Sequence, residues 1–144
     1  MLERTVTATI LLICLTTVAP GIANAQGRYR IEVHIPFSFV LRERTLPAGK
    51  YVVERIDPGR PNILTLTKVD NSVVRIVLAQ RIEKNIPSTA SSLIFIMRED
   101  KLYLFQIWKV GSMNGAQVPS ALENRTNDRR RQSSTLVTLK VEDH

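Results

Sequence analysis

Reactive side chains are scarce in this chain. It holds one cysteine, Cys14, and two histidines, His34 and His144. The histidines lie at opposite ends of residues 26–144 and in no metal-ligand spacing, so no metal centre is expected. Glu142, Asp143 and His144 are consecutive at the chain end, and adjacent strand residues cannot all turn toward one ion. Neither G-x-S-x-G nor S-x-x-K occurs, which removes the usual settings of a serine nucleophile. No repeat of fixed period is present, and no apolar run reaches the ~20 residues needed to cross a bilayer as a helix.

The longest apolar run lies at the start. Arg4 stands near the terminus, Ala8 to Leu15 are mostly apolar, Pro20 and Gly21 break the run, and Ala23-Asn24-Ala25 offers the small residues that a signal peptidase reads. Residues 1–25 are therefore expected to be an export signal cleaved after Ala25. Five threonines between Thr5 and Ala19 argue against a membrane anchor. Ile13 precedes Cys14 where a lipid-modified cysteine needs a small residue, which argues against a lipoprotein. Cleavage would remove the only cysteine, leaving a chain free of disulfides and thiol chemistry that hydrophobic packing alone must hold.

Charge is the feature in surplus. The formal net charge is +7, and since Glu3 and Arg4 cancel, the exported chain keeps all of it. Such a charge steers anionic partners and does not determine a fold. In a periplasmic or extracellular setting those partners are glycans or lipid head groups, and nucleic acid is not expected.

Residues 26–144 have the length of one domain and the period-two alternation of half-buried strands. Tyr29, Ile31, Val33 and Ile35 share one face; Arg30, Glu32 and His34 share the other. Pro36 interrupts the ladder before Phe37, Phe39 and Leu41, which marks an edge strand or a strand that changes partner. Leu46-Pro47-Ala48-Gly49 is a turn leading into a strand over 50–56. Asp57 to Asn62 is a dense breaker cluster. Hairpins are expected from 63–68 with 72–78, and from 93–98 with 101–109, the second closed at Glu99-Asp100. The continuous apolar run Leu93 to Met97 predicts a strand buried on both faces, and 79–92 predicts a strand end followed by a loop.

Ser120-Ala121-Leu122-Glu123 has the spacing of a capping box, so a short polar helix is expected near 120–131, with a final strand near 135–141. The fold class is then mostly β: an antiparallel β-sandwich or partly open barrel of about eight short strands with one short C-terminal helix.

Two features could meet a partner. Arg125 and Arg129 stand one helical turn apart, and Arg130 and Arg131 continue the charge, a cluster suited to phosphate or sulfate groups or simply to a solvated helix face. Trp108 leads into a loop from Val110 to Gly115 that contains Met113, so Trp108 and Met113 are candidates for the rim of a ligand site or, for Trp108, for the core. No catalytic or cofactor-binding residue is identified.

The segments Ile35-Pro36-Phe37-Ser38-Phe39 and Leu46-Pro47-Ala48-Gly49-Lys50-Tyr51, with Gln106-Ile107-Trp108 before Gly111-Ser112, resemble a group of small exported proteins of uncharacterised function common in Acidobacteria and related soil bacteria. The resemblance spans most of residues 26–144 and implies a bacterial envelope or secreted setting, with no catalytic residues to transfer. The chain departs from the group at Arg42-Glu43-Arg44-Thr45 and at Arg129-Arg130-Arg131. Together these readings give an exported, non-enzymatic domain that binds or packs against an anionic envelope component. The alternatives are a small envelope hydrolase acting on carbohydrate or peptide, with Glu54 or Asp57 as placeholder acids, and a lipid-carrying barrel.

Overall fold

The computed structural model describes residues 28–119 and 135–141. The described residues form eleven strands: β1 (Arg30–Ile35), β2 (Phe39–Leu41), β3 (Arg44–Leu46), β4 (Gly49–Arg55), β5 (Ile63–Lys68), β6 (Val74–Leu78), β7 (Gln80–Glu83), β8 (Ser92–Arg98), β9 (Lys101–Trp108), β10 (Asn114–Gln117) and β11 (Thr135–Lys140). One sheet runs β1-β4-β5-β6. The other runs β11-β8-β9-β10-β7, with the β2–β3 hairpin joined to β9 by a parallel bridge from Val40 to Tyr103. Among the described residues both sheets end in free edges, so the architecture is two sheets and not a closed barrel. The expected signal at 1–25 and the expected helix near 120–131 lie outside the described residues.

Alternation builds the core. Along β1 the side chains Ile31, Val33 and Ile35 are buried while those between them face outward. Tyr51 and Val53 of β4 and Leu64 and Leu66 of β5 complete one inner face, and Leu93 and Phe95 of β8 with Leu104 and Ile107 of β9 supply the other. Phe39 joins them, with its ring edge-to-face against Tyr51 at 5.4 Å and against Phe95 at 5.6 Å. Between Ile94 and Phe95 the register shifts, because Ile94 pairs with Gln106 and Phe95 with Leu104. Phe105 is the extra residue, and this bulge lets both Leu104 and Ile107 point inward.

Pro36 acts as a switch of partner. Ile35 pairs with Gly49 in the first sheet, and Phe39, three residues beyond the proline, belongs to the second. Two expectations need correction. The segment 79–92 is not merely a strand end and loop: β6 stops at Leu78, the chain crosses between sheets at Ala79, and Gln80–Glu83 forms β7 beside β10. The run Leu93 to Met97 is not buried on both faces: Leu93 and Phe95 on one face are fully enclosed, whereas Ile94 and Ile96 on the other are only half-buried and Met97 at the strand end is exposed. Several strands are only three or four residues long, which is why eleven stand where about eight were expected.

Turn chemistry leaves room for stabilisation. Glu99 and Asp100 close the β8–β9 hairpin with φ of 48° and 59°, a two-residue loop with both central residues left-handed, the geometry that Asn-Gly fits best. The double substitution Glu99→Asn with Asp100→Gly is expected to raise stability by about 1 kcal/mol, read as a later denaturation midpoint with an unchanged slope.

The β5–β6 turn carries a pH-dependent element. Asp70 accepts hydrogen bonds from the Ser72 hydroxyl at 2.6 Å, the Ser72 amide at 2.9 Å and Lys68 Nζ at 2.9 Å. These bonds, in that order of weight, lower its pKa from 3.8 to about 2. A depressed carboxylate pKa stabilises the fold above the ordinary value and loses that contribution as pH falls through the folded one. Asp70→Asn is therefore expected to weaken the protein at neutral pH, with the difference from the parent chain shrinking between pH 3.8 and about 2, as followed by urea midpoints across that range.

Candidate functional site

At one end of the two sheets the inner rows run out of apolar residues and a cleft opens. Tyr29 precedes β1 at the parity of Ile31, Val33 and Ile35. Arg55 ends β4 at the parity of Tyr51 and Val53. Lys109 follows β9 two residues after Ile107, and Arg81 of β7 stands opposite Ala116 of β10. Each lies where the alternation points a side chain between the sheets. Together with Asn62 and Asn114 they line a cavity of about 320 Å³ floored by Leu64, Ala79 and Ala116.

Tyr29 is the hub. The Arg55 amide donates to its carbonyl at 3.1 Å, which extends the β1–β4 ladder to the cleft mouth. The Arg55 guanidinium lies 4.7 Å from the centre of the Tyr29 ring, and Lys109 Nζ, from the other sheet, lies 5.6 Å from it. Lys109 Nζ also donates to the Arg28 carbonyl at 3.1 Å. Burial raises the Tyr29 phenol above its ordinary 10, with the Arg55 charge pulling the other way, so at neutral pH the ring carries an intact O–H. Arg81 donates through Nε and Nη2 to Asn114 Oδ1 at 3.2 and 2.9 Å, and Nη2 pairs with Glu83 at 2.8 Å.

The cations are unequally compensated. Arg81 has Glu83, whereas no carboxylate among the described residues pairs with Arg55 or Lys109, and none lines the cleft. Arg55 Nε is buried with no hydrogen-bond partner. An unmet donor on a charged group costs about 1–3 kcal/mol or more, a cost that an acceptor oxygen reaching Arg55 Nε would relieve. Carboxylate, sulfate and phosphate all supply the acceptor geometry that a guanidinium fork takes up.

Gly115 shapes the wall. A Cβ there would sit 2.7 Å from the Trp108 ring, so only glycine lets β10 lie against it. Trp108 itself is 8% exposed; its Nε1 donates to Gln106 at 3.1 Å and Lys84 Nζ lies 4.5 Å from its ring centre. It packs behind the wall and does not line the cleft. Met113 is half exposed and also lies outside the lining, although Ser112 and Asn114 on either side of it contribute. Arg125, Arg129, Arg130 and Arg131 lie outside the described residues, as does His144.

The placeholder acids have other engagements. Glu54 pairs with Arg30 at 2.6 Å, and Asp57 accepts the Gly59 amide at 2.8 Å within its turn. His34 and Glu32 border a second, more open hollow of about 430 Å³, where Glu32 is held by Arg30 at 2.6 Å. Among the described residues no group of three or more His, Cys, Asp or Glu could hold a metal ion.

Sequence reading missed Tyr29, Arg55, Arg81 and Lys109 as a group because 80 positions separate the first from the last and no motif links them. The available signal was a charged residue at core-facing parity just beyond the last apolar one, repeated on three strands. Comparison with family models, with curated proteins and with solved structures finds no match.

Proposed function

We propose that this chain is an exported, non-enzymatic binding domain of the bacterial envelope, and that the cleft between its sheets takes one anionic group of an envelope glycan or lipid head group. The observation that carries the reading is the buried, unpartnered Nε of Arg55 beside Lys109 in a cleft without a carboxylate. A cavity of about 320 Å³ is at the small end of ligand sites, large enough for one sugar unit or a phosphate-bearing head group. The amides of Asn62 and Asn114 and the phenol of Tyr29 can meet hydroxyls around the anion. The formal charge of +7 draws such partners in, and Arg125, Arg129, Arg130 and Arg131 add to that attraction.

The test is a panel of uronate and sulfated oligosaccharides and of vesicles with and without phosphatidylglycerol, each titrated at two salt concentrations. The reading expects saturable binding to one anionic class that weakens with salt. Binding indifferent to salt and to ligand charge would contradict it. Glycan and vesicle arms separate the two sources of the anion.

A further inference from the structure

The side of the cleft formed by β7, β10 and the end of β9 is oriented to donate hydrogen bonds. Asn114 Oδ1 accepts from Arg81 Nε at 3.2 Å and from Nη2 at 2.9 Å. Both lone pairs of that oxygen are used, and the Asn114 amide nitrogen is left with two hydrogens to give. The Ser112 hydroxyl donates to the Asn114 carbonyl at 2.8 Å and accepts the Asn114 backbone amide at 3.0 Å. Lys109 Nζ spends one hydrogen on the Arg28 carbonyl at 3.1 Å and keeps two. From the other sheet comes Arg55 Nε, buried and without a partner. Donors therefore converge from separate elements, while the acceptors of Ser112 and Asn114 beside them are engaged. Acceptors remain on the amides of Asn62 and Gln80 for whatever carries the anion.

We infer, resting on the anion-binding reading of this cleft, that the group it takes is a phosphate monoester, borne on a sugar or a lipid, in preference to a carboxylate or a sulfate ester. Charge selects it first. Arg55, Lys109 and Arg81 bring three positive charges to the cleft, and Glu83, paired with Arg81 at 2.8 Å, offsets one, so the site carries a net +2. A carboxylate or a sulfate ester leaves one of those charges unmatched, whereas a phosphate monoester brings about −1.5 to −2 at neutral pH. Shape selects it second. Three terminal oxygens at tetrahedral angles can each meet a different donor group, while the two oxygens of a carboxylate lie in one plane. A uronate also holds ring hydroxyls close to its carboxylate, and against a donating wall those hydroxyls lack acceptors.

The ligand supplies a pH signature of its own, because a phosphate monoester takes its second charge near pH 6. The titratable groups facing the cleft are Tyr29 before β1, Arg55 of β4, Arg81 of β7 with Glu83 beside it, and Lys109 after β9. No histidine, the side chain that ordinarily titrates in that range, is among them.

Calorimetric titration of the purified chain with glucose 6-phosphate, glucose 6-sulfate and glucuronate, at about pH 7.5 and about pH 5, tests the inference. Flotation with vesicles of phosphatidic acid or of phosphatidylglycerol sets a monoester against a diester on a lipid. At the higher pH the monoester is expected to bind about tenfold tighter or more than its competitors in at least one arm, and to lose most of that lead at the lower pH. The arm in which the lead appears names the source of the phosphate. Lys109→Gln, which removes one charge and keeps Arg55, is expected to erase the lead, and Lys50→Gln, an exposed cation outside the cleft, to preserve it. Equal affinities within both arms, a lead that persists undiminished at the lower pH, or one that Lys109→Gln retains would overturn the inference and leave the anion-binding cleft standing. Binding of none of the five probes would overturn it together with the reading beneath it.

Discussion

Phe95→Ala is expected to lower stability by about 3–5 kcal/mol, the cost of deleting a buried aromatic side chain where the surroundings cannot collapse. Phe95 is fully buried on β8. Its ring stands edge-to-face with Phe37 at 5.1 Å and with Phe39 at 5.6 Å, and such pairs contribute about 0.5–1.5 kcal/mol beyond burial alone. Phe39 continues the cluster to Tyr51 of the opposite sheet, so the ring of Phe95 supports the contact by which the sheets hold each other. A domain of this size is stable by only about 5–15 kcal/mol, so the substitution removes a large share. Phe95→Leu, which keeps most of the volume, is expected to cost less than half as much. Urea denaturation of both variants checks the claim, and a loss below about 1 kcal/mol for alanine would show that the cluster is not central to the fold.

Arg55→Gln combined with Lys109→Gln is expected to weaken binding of the anionic ligand by roughly 100-fold and to flatten its salt dependence. A hydrogen bond to a charged group contributes about 1.5–3 kcal/mol, and each 1.4 kcal/mol is about tenfold in affinity. Lys109 adds charge from the other sheet. Arg55→Lys separates charge from geometry: it keeps a cation over Tyr29 and loses the Nε–H and the planar fork, so affinity should fall about tenfold while salt dependence persists. Replacing Arg125, Arg129, Arg130 and Arg131 with glutamine is expected to slow association while leaving the bound complex nearly as stable, because distant charges act mainly through steering. If the four-arginine variant abolished binding and the cleft variant did not, the assignment of the site would be wrong.

Much of this architecture is legible in the order of residues, and the failures have physical causes. The alternation of β1 reads directly, because one face of an antiparallel sheet is dry and the other wet. Pro36 reads as an edge strand or a change of partner because it can donate no ladder hydrogen bond, and the tertiary pairing decides for the second. The hairpin at Glu99-Asp100 reads from strand patterns on both sides, even though neither residue is the glycine that its dihedral angles favour. β7 did not read, since Gln80-Arg81-Ile82-Glu83 has one apolar residue and its pairing with β10 depends on a crossing at Ala79 that no local pattern encodes. The both-faces burial expected for Leu93 to Met97 failed because a run of apolar residues does not say which side another layer will cover. The cleft is a product of topology: Tyr29, Arg55, Arg81 and Lys109 meet only because β1 and β7 begin, and β4 and β9 finish, at the same end of the two sheets. Trp108, the most conspicuous single residue, belongs to the packing behind Gly115, where its bulk and the missing Cβ fit together.

The central claim is that Arg55 accepts an anion inside the cleft, and its Nε–H can be watched directly. Nitrogen–proton correlation spectra of the arginine side chains, recorded while glucuronate and, separately, inorganic phosphate are added, should show the Arg55 Nε–H signal moving downfield in a saturable way. The Arg81 signal should follow it weakly, since its Nε already bonds Asn114, and other arginine signals should stay in place apart from small salt-like drifts. An Arg55 signal unmoved by either anion, with saturable shifts confined to the other arginines, would contradict the account.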